Sequence, residues 1–189
     1  MAGRVCPMWV GYVMASPLRR LLQNPRKILG DYIEPGMTVL DVGCAMGFFS
    51  LAAARLVGSN GRVVCVDLQS GMIESLTRRA ARSGLSDRID PRVCNEHSLG
   101  ISDLVGQVDF ALAFYVVHEV PNVPGLMTEI HAVLKPGGRF FVAEPRGHTS
   151  VDEYEATEAA AQKAGFVIVD HPKLRRDRTT MFVKTEITR

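Results

Sequence analysis

Residues 39–50 read Val-Leu-Asp-Val-Gly-Cys-Ala-Met-Gly-Phe-Phe-Ser, and a second apolar run, Arg62-Val-Val-Cys-Val-Asp67, closes on a carboxylate. The first run predicts a strand that breaks into a glycine-bearing turn and re-enters as a helix. Gly43 and Gly47 are expected to let backbone approach a ligand where a side chain would collide. Asp67, closing the next strand, can accept hydrogen bonds from two adjacent ribose hydroxyls. A nucleoside-containing cofactor lying across the C-terminal ends of these strands is the reading that follows.

Strand and helix signals alternate from residue 39 onward. Apolar runs stand at 39–42, 63–66, 108–117 and 139–143. Between them, Met72, Ile73, Leu76 and Ala80 share one face of a helix over 70–83, and Leu126, Ile130, Val133 and Leu134 repeat at helical spacing over 124–134. Short parallel strands joined by helices give a doubly wound α/β sheet. A strand at about 89–95 is the weakest of the set, because Pro91 sits in it. Lys135-Pro136-Gly137-Gly138 is expected to stop the helix before the strand at 139. After a helix pattern at 151–164, Phe166–Val169 and Thr180–Lys184 are joined by about ten residues, too few for a crossover helix, so they should be antiparallel neighbours. The sheet is then mixed, with a reversed strand near one edge.

Residues 1–37 have no place in that sheet. Two short helices are expected, one starting at Pro17 and one over Pro25–Ile33, each with proline near its start. Residues 1–37 are taken as an N-terminal helical cap and 38–189 as the core. The apolar stretch from Val5 to Ala15 carries Trp9, Tyr12 and Met14, with Arg19 and Arg20 behind it; residues 5–20 either close the site or pack on the sheet's outer face. Interrupted by Pro7 and Gly11, that stretch is a poor secretory leader and too short to span a bilayer, which takes roughly 20 apolar residues.

The chain has 189 residues, 47% hydrophobic and 22% charged, with a net charge of +2. One domain with a sizeable core is the default at this length, and the near-neutral charge gives no support to nucleic acid as an obligatory partner. Cysteines 6, 44, 65 and 94 show no C-x-x-C spacing, which speaks against a zinc site or redox dithiol and for a reducing cytosol. Cys65 and Cys94 read as small buried hydrophobes, and Cys6 does not complete a three-thiolate cluster.

The glycine turn discriminates between ligands. A dinucleotide site wants G-x-G-x-x-G; here Phe48 stands at the third glycine, and the spacing fits G-x-(G/A)-x-G instead. In this respect the sequence resembles the class I S-adenosylmethionine-dependent methyltransferases. Val39-Leu-Asp-Val-Gly-Cys-Ala-Met-Gly47 looks like their first motif and Gly61–Asp67 like their second. Val108-Asp-Phe-Ala-Leu-Ala-Phe-Tyr-Val-Val-His-Glu-Val120 resembles the fourth strand and its exit, and Leu134–Pro145 the fifth-strand motif. Four motifs stand in order over about 39–184. The resemblance implies a Rossmann-like methyltransferase fold, a seven-stranded, mostly parallel sheet with an antiparallel C-terminal strand, and S-adenosylmethionine as cofactor.

Residue by residue, the resemblance implies that Asp41 and the backbone at Gly43 hold the methionine end, with Cys44, Ala45, Gly47 and Phe48 in the same turn. Asp67 would take both ribose hydroxyls and Leu68 line the adenine slot. Asn95, with Glu96 beside it, stands where an Asp commonly meets the adenine amino group, and an amide oxygen can accept the same bond. Phe114 would lie near the methionine and adenosine. Ala45 replaces the middle glycine, which is tolerated if its backbone angles are ordinary. A bland alternative leaves Asp67 capping the next helix.

Methyl transfer from a sulfonium asks mainly for alignment and exclusion of water. A base helps when the nucleophile arrives protonated. The candidate is His118, just beyond the fourth strand; the competing reading has it cap or pack the next helix. Tyr115 and Glu144, also at strand ends, are expected to line the acceptor cavity, whereas His131 and His171 read as structural. The expected activity is methyl transfer to a small-molecule acceptor. The alternatives are methylation of RNA or protein, weakly supported by Lys173, Arg175, Arg176 and Arg178, and a cofactor-binding module without turnover.

Overall fold

The computed structural model describes residues 23–185. The cap helix expected at Pro17 and the segment 5–20, with Cys6, therefore lie outside the described residues. Seven strands form a sheet of order β3-β2-β1-β4-β5-β7-β6, the doubly wound α/β arrangement expected. Contacts divide the chain into two compact units at Cys94/Asn95.

The first unit contains α1 (Pro25–Leu29), β1 (Thr38–Val42), α2 (Ser50–Leu56), β2 (Arg62–Asp67), α3 (Ser70–Arg82) and β3 (Ile89–Val93). The strands β1 and β2 pair in parallel, as do β2 and β3. Both β1 and β2 are buried along almost their whole length, as strands covered on both faces must be. In α3 the predicted stripe of Met72, Ile73, Leu76 and Ala80 is buried. Pro91 does fall inside β3, opposite Cys65. It is tolerated because β3 stands at the end of the sheet order, where a missing N–H breaks no ladder. Helix α1 starts where Asn24 Oδ1 accepts from the N–H groups of Arg26 and Lys27 and Pro25 needs no donor. It ends at Leu29 rather than Ile33, because the chain turns at Gly30, and it packs on α2.

The second unit contains β4 (Val108–Phe114), α4 (Val123–Val133), β5 (Leu134–Pro145), α5 (Val151–Lys163), β6 (Phe166–Asp170) and β7 (Asp177–Lys184). Strands β4 and β5 are parallel, and β7 runs antiparallel to both β5 and β6, which is the reversed strand expected. Its core is aromatic: Phe110, Phe140, Phe141 and Phe182 are fully buried, and Phe140 stacks on Phe182 at 5.8 Å. Three boundaries differ from the sequence reading. Strand β4 stops at Phe114, not Val117, because Tyr115 takes φ 64°. Strand β5 begins at Leu134, which pairs with Val108 before the register slips to Phe110/Arg139; Lys135–Gly138 is thus a bulge within β5. Strand β7 reaches back to Asp177, inside the basic run. A capping box between Ser150 and Glu153 starts α5. His131 packs edge-on against Phe166 at 5.0 Å, in the structural role expected. Among the described residues, no helix is long and apolar enough to cross a membrane.

Candidate active site

The turn leaving β1 places three residues in five at positive φ: Gly43 at 66°, Ala45 at 46° and Gly47 at 79°. The N–H groups of Gly43 and Cys44 both donate to Val66 O, at 2.9 and 3.1 Å, so the turn is held against the end of β2. Asp67 completes the tie: its Oδ2 accepts from Ala45 N at 2.8 Å and its Oδ1 from Gln69 N at 2.9 Å. Burial pushes its pKa up against those two N–H groups. Asp67 does not cap α3, whose N-cap is Gln69.

Several expectations about this turn need correction. Ala45 does not have ordinary backbone angles; it carries a Cβ in the left-handed region, where glycine would be unstrained. Gly47 does not clear space for a ligand. A Cβ there would sit 2.2 Å from Leu76 Cδ1, so the space it frees belongs to α3. Asp41 is 2% exposed and accepts from Ser50 Oγ at 2.5 Å. It is thus enclosed by the protein and not presented for direct contact. Burial first, then the nearby Asp67 charge, raise its pKa to about 7, with Ser50 opposing. Cys44 is buried, and burial pushes its thiol well up, which makes it inert. Phe48 is half-buried, edge-on to Phe49 at 5.3 Å.

Whether S-adenosylmethionine fits can be asked of these donors. Each oxygen of Asp67 has accepted one backbone N–H and keeps a lone pair, so two neighbouring hydroxyls can donate to the same carboxylate. Leu68, next in the chain, is an exposed apolar side chain suited to a flat base. The residues of this unit fit the nucleoside end of the cofactor.

In the second unit, Asn95 is exposed, and its Oδ1 accepts from His97 N at 2.9 Å and Ser98 N at 3.0 Å. The side-chain oxygen is thus engaged within its own loop, whereas the expected role was to accept from an adenine amino group. Glu96 is exposed. Phe114 is 7% exposed and offers a ligand little surface. Its ring packs against Tyr115 at 4.5 Å and Phe141 at 6.4 Å.

Beyond β4 the chemistry gathers on one buried carboxylate. Glu144, 1% exposed near the end of β5, accepts from Val117 N at 2.7 Å through Oε1. Its Oε2 pairs with His118 Nδ1 and accepts from Thr149 Oγ1 at 3.4 Å. Glu144 thus holds His118 instead of lining a cavity. A carboxylate offers only acceptors, so Nδ1 carries a hydrogen, and in the neutral ring Nε2 keeps its lone pair. The hydrogen bond to Glu144 raises the His118 pKa most. The charges of Glu144, Glu119 and Glu153 add to it, and burial opposes. His118 does not cap α4; Asn122 does, accepting from Gly125 N at 3.0 Å. Tyr115 donates its hydroxyl to Asp177, a buried carboxylate at the start of β7.

The basic run is not one continuous cationic face. Asp177 is buried within it, Arg178 donates to Thr149 O at 2.9 Å, and Glu155 and Glu158 line the same cleft of about 630 Å³. His171 rests on Thr179 O at 3.1 Å. Thr149 and Asp177 were not among the expected site residues. Nothing in the sequence near either marks its partner.

A family model described as a methyltransferase domain matches residues 33–185. The chain belongs to that family. A demethylmenaquinone methyltransferase of Symbiobacterium thermophilum is 35% identical over 60% of this chain and 44% of its own length. The ubiquinone/menaquinone biosynthesis C-methyltransferase UbiE of Hydrogenovibrio crunogenus is 32% identical over 70% of this chain and 51% of its own. The methyltransferase chain thus spans about half the length of the curated relatives it matches. A SAM-dependent methyltransferase from Aquifex aeolicus superposes with a TM-score of 0.85 at 20% identity, covering 96% of this chain and all of that one. That likeness establishes the class I methyltransferase fold, and S-adenosylmethionine is the cofactor the family uses.

Proposed function

We propose that this methyltransferase transfers a methyl group from S-adenosylmethionine to a small ring-hydroxylated acceptor of the reduced-quinone type. The observation that carries this reading is the His118–Glu144 pair, a part-buried imidazole whose Nδ1 is held by a buried carboxylate while Nε2, 3.9 Å from Glu119 Oε1, is the nitrogen left to meet an acceptor. When bound, the cofactor supplies an electrophilic methyl on a sulfonium with a neutral leaving group. In this reading His118 Nε2 takes the proton of the acceptor's hydroxyl, and its Nδ1–H stays on Glu144, which stabilises the imidazolium. A deprotonated ring hydroxyl pushes electron density to the adjacent ring carbon, so the same deprotonation serves methylation at oxygen or at carbon. After carbon methylation the tetrahedral ring carbon loses its own proton to water, and the restored ring oxygen takes the proton back from the His118 imidazolium. The relatives named for demethylmenaquinone and ubiquinone/menaquinone C-methylation support the ring-carbon outcome. The mixed charge of the 173–178 cleft gives no support to an RNA acceptor. The buried free thiols Cys44 and Cys65 suit a reducing cytosol.

The test combines calorimetry with product analysis. The protein should bind S-adenosylmethionine and, given a panel of reduced naphthoquinones and hydroxybenzoates, produce S-adenosylhomocysteine with one methylated product. His118→Asn should lower kcat by about a hundredfold or more, the share a positioned base contributes, with cofactor affinity unchanged. Cofactor binding without turnover on any hydroxylated ring would overturn the acceptor class, and full activity in His118→Asn would overturn the base.

A further inference from the structure

We propose that Tyr115 and Asp177 form a latch that positions His118, so that Tyr115 does not present its hydroxyl to the acceptor. This inference rests on the reading of His118 as the base. Tyr115 sits at φ 64°, a conformation that a bulky residue adopts only where its surroundings hold it. Three contacts do so: its N–H donates to Ala143 O at 2.8 Å, its ring packs on Phe114, and its hydroxyl donates to Asp177.

The consequence lies two and three residues on. By leaving β4 through a left-handed residue, the chain brings Val117 N and His118 Nδ1 onto the two oxygens of Glu144. The anchors are adjacent strands. Glu144 pairs with Arg178, and Pro145 with Asp177, in the β5–β7 ladder. Two neighbouring strands therefore each give one buried carboxylate to the same four-residue turn. One holds the turn at its first residue and the other at its last. A hydroxyl donating to a carboxylate that is 5% exposed is committed within the protein. Release of the latch frees the turn to rotate and lengthens the His118–Glu144 contact. The other groups that face His118 are Glu119 on its own turn, 3.9 Å from Nε2, Glu153 on α5, and His148, whose ring lies 6.0 Å away. Glu119 travels with the turn, Glu153 and His148 make no hydrogen bond to the ring, and the Glu144 contact is the one that depends on how the 115–118 turn is held.

The experiment is an NMR titration of the His118 ring in the full chain without acceptor, its resonances assigned with His118→Asn. Tyr115→Phe and Asp177→Ala should each move the His118 midpoint down toward that of a free imidazole. Each should also lower kcat about tenfold, the cost of a slightly misplaced group, with the Kd for S-adenosylmethionine unchanged. Asp177→Asn keeps an acceptor for the hydroxyl and should retain the wild-type midpoint. Tyr154→Phe is the control, because that hydroxyl is likewise buried, against Thr180 Oγ1 at 2.8 Å, but has no part in the turn. A folded Tyr115→Phe with the wild-type midpoint would overturn the latch, as would an equal shift in Tyr154→Phe. If Asp177→Ala does not fold, Tyr115→Phe decides alone. The titration uses no turnover, so a shifted midpoint beside a fully active His118→Asn would leave the latch standing while the base assignment fell.

Discussion

Both units of this methyltransferase bury two carboxylates at strand ends, and they handle them differently. In the first unit Asp41 and Asp67 are held by neutral donors: the Ser50 hydroxyl, and the N–H groups of Ala45 and Gln69. Burial raises the pKa of both, that of Asp41 to about 7. In the second unit Glu144 and Asp177 are matched to side chains that carry transferable protons, His118 and Tyr115. The first arrangement leaves lone pairs unspent on Asp67, which suits a ligand that brings its own hydroxyls. The second is already complete and suits a proton relay. In the proposed reading, the first unit is completed by a ligand and the second acts on one.

The strongest way to break that contrast is at Asp67. Asp67→Ala removes the two acceptors proposed to hold the ribose, together with the tie to Ala45. Hydrogen bonds to a charged group contribute about 1.5–3 kcal/mol each, so the Kd for S-adenosylmethionine should rise by roughly a hundredfold or more. The His118 titration should not move. Calorimetry and NMR on the same sample check both halves of the statement. An affinity left within threefold would mean that the carboxylate only braces the turn.

The pH dependence tests the other unit. A base works when neutral, so kcat should rise with pH through the raised pKa of His118 and level off above it. Glu144→Gln weakens the hydrogen bond that does most of the raising and removes the charge behind it, so the limb should shift to lower pH. The plateau should fall on the order of a hundredfold, because an amide can also hold the wrong imidazole tautomer. Stability gives an independent sign. A raised imidazole pKa contributes stability that is fully present below the unfolded value of about 6.5 and is lost as pH rises through the folded one. Glu144→Gln should therefore lower Tm more at pH 6 than at pH 9. A Tm loss equal at both would separate the pair from ionic bonding.

The same contrast explains what could be read from the sequence. The glycine turn is a local object: two positive-φ glycines, a strand before and a helix after leave a pattern of glycines and apolar runs. Thus β1, β2, α3 and the place of Asp67 at the end of β2 were legible, while the positive φ of Ala45 was not. The second unit is assembled from partners far apart in the chain, His118 with Glu144 and Tyr115 with Asp177, and neither residue of a pair carries a mark of the other. Tyr115-Val116-Val117 reads as the end of a strand because apolar periodicity cannot show a residue flipping to φ 64°. Lys135-Pro136-Gly137-Gly138 reads as a stop because a bulge uses the same residues as a turn. Asp177 was hidden by the charges around it. Even in the first unit the glycine pattern did not say what fills the vacated space, and at Gly47 the answer is Leu76.

The smallest effect is expected at Ala45 and Tyr115, the two non-glycine residues with positive φ among the described residues, one in each unit. Ala45→Gly keeps the N–H that donates to Asp67 and removes a Cβ from the left-handed region. Relief of that strain, less the added freedom of the unfolded chain, should stabilise the protein by about 0.5–1 kcal/mol. For a chain of this length that is a rise in Tm of about 1–4 °C. Tyr115→Gly relieves the same kind of strain but deletes the hydroxyl held by Asp177 and the ring against Phe114, so its sign should be opposite. Thermal melts of the two variants side by side test the comparison directly. If both glycines stabilise, Tyr115 is merely a strained residue; if both destabilise, the methyl of Ala45 contributes packing that outweighs its backbone cost.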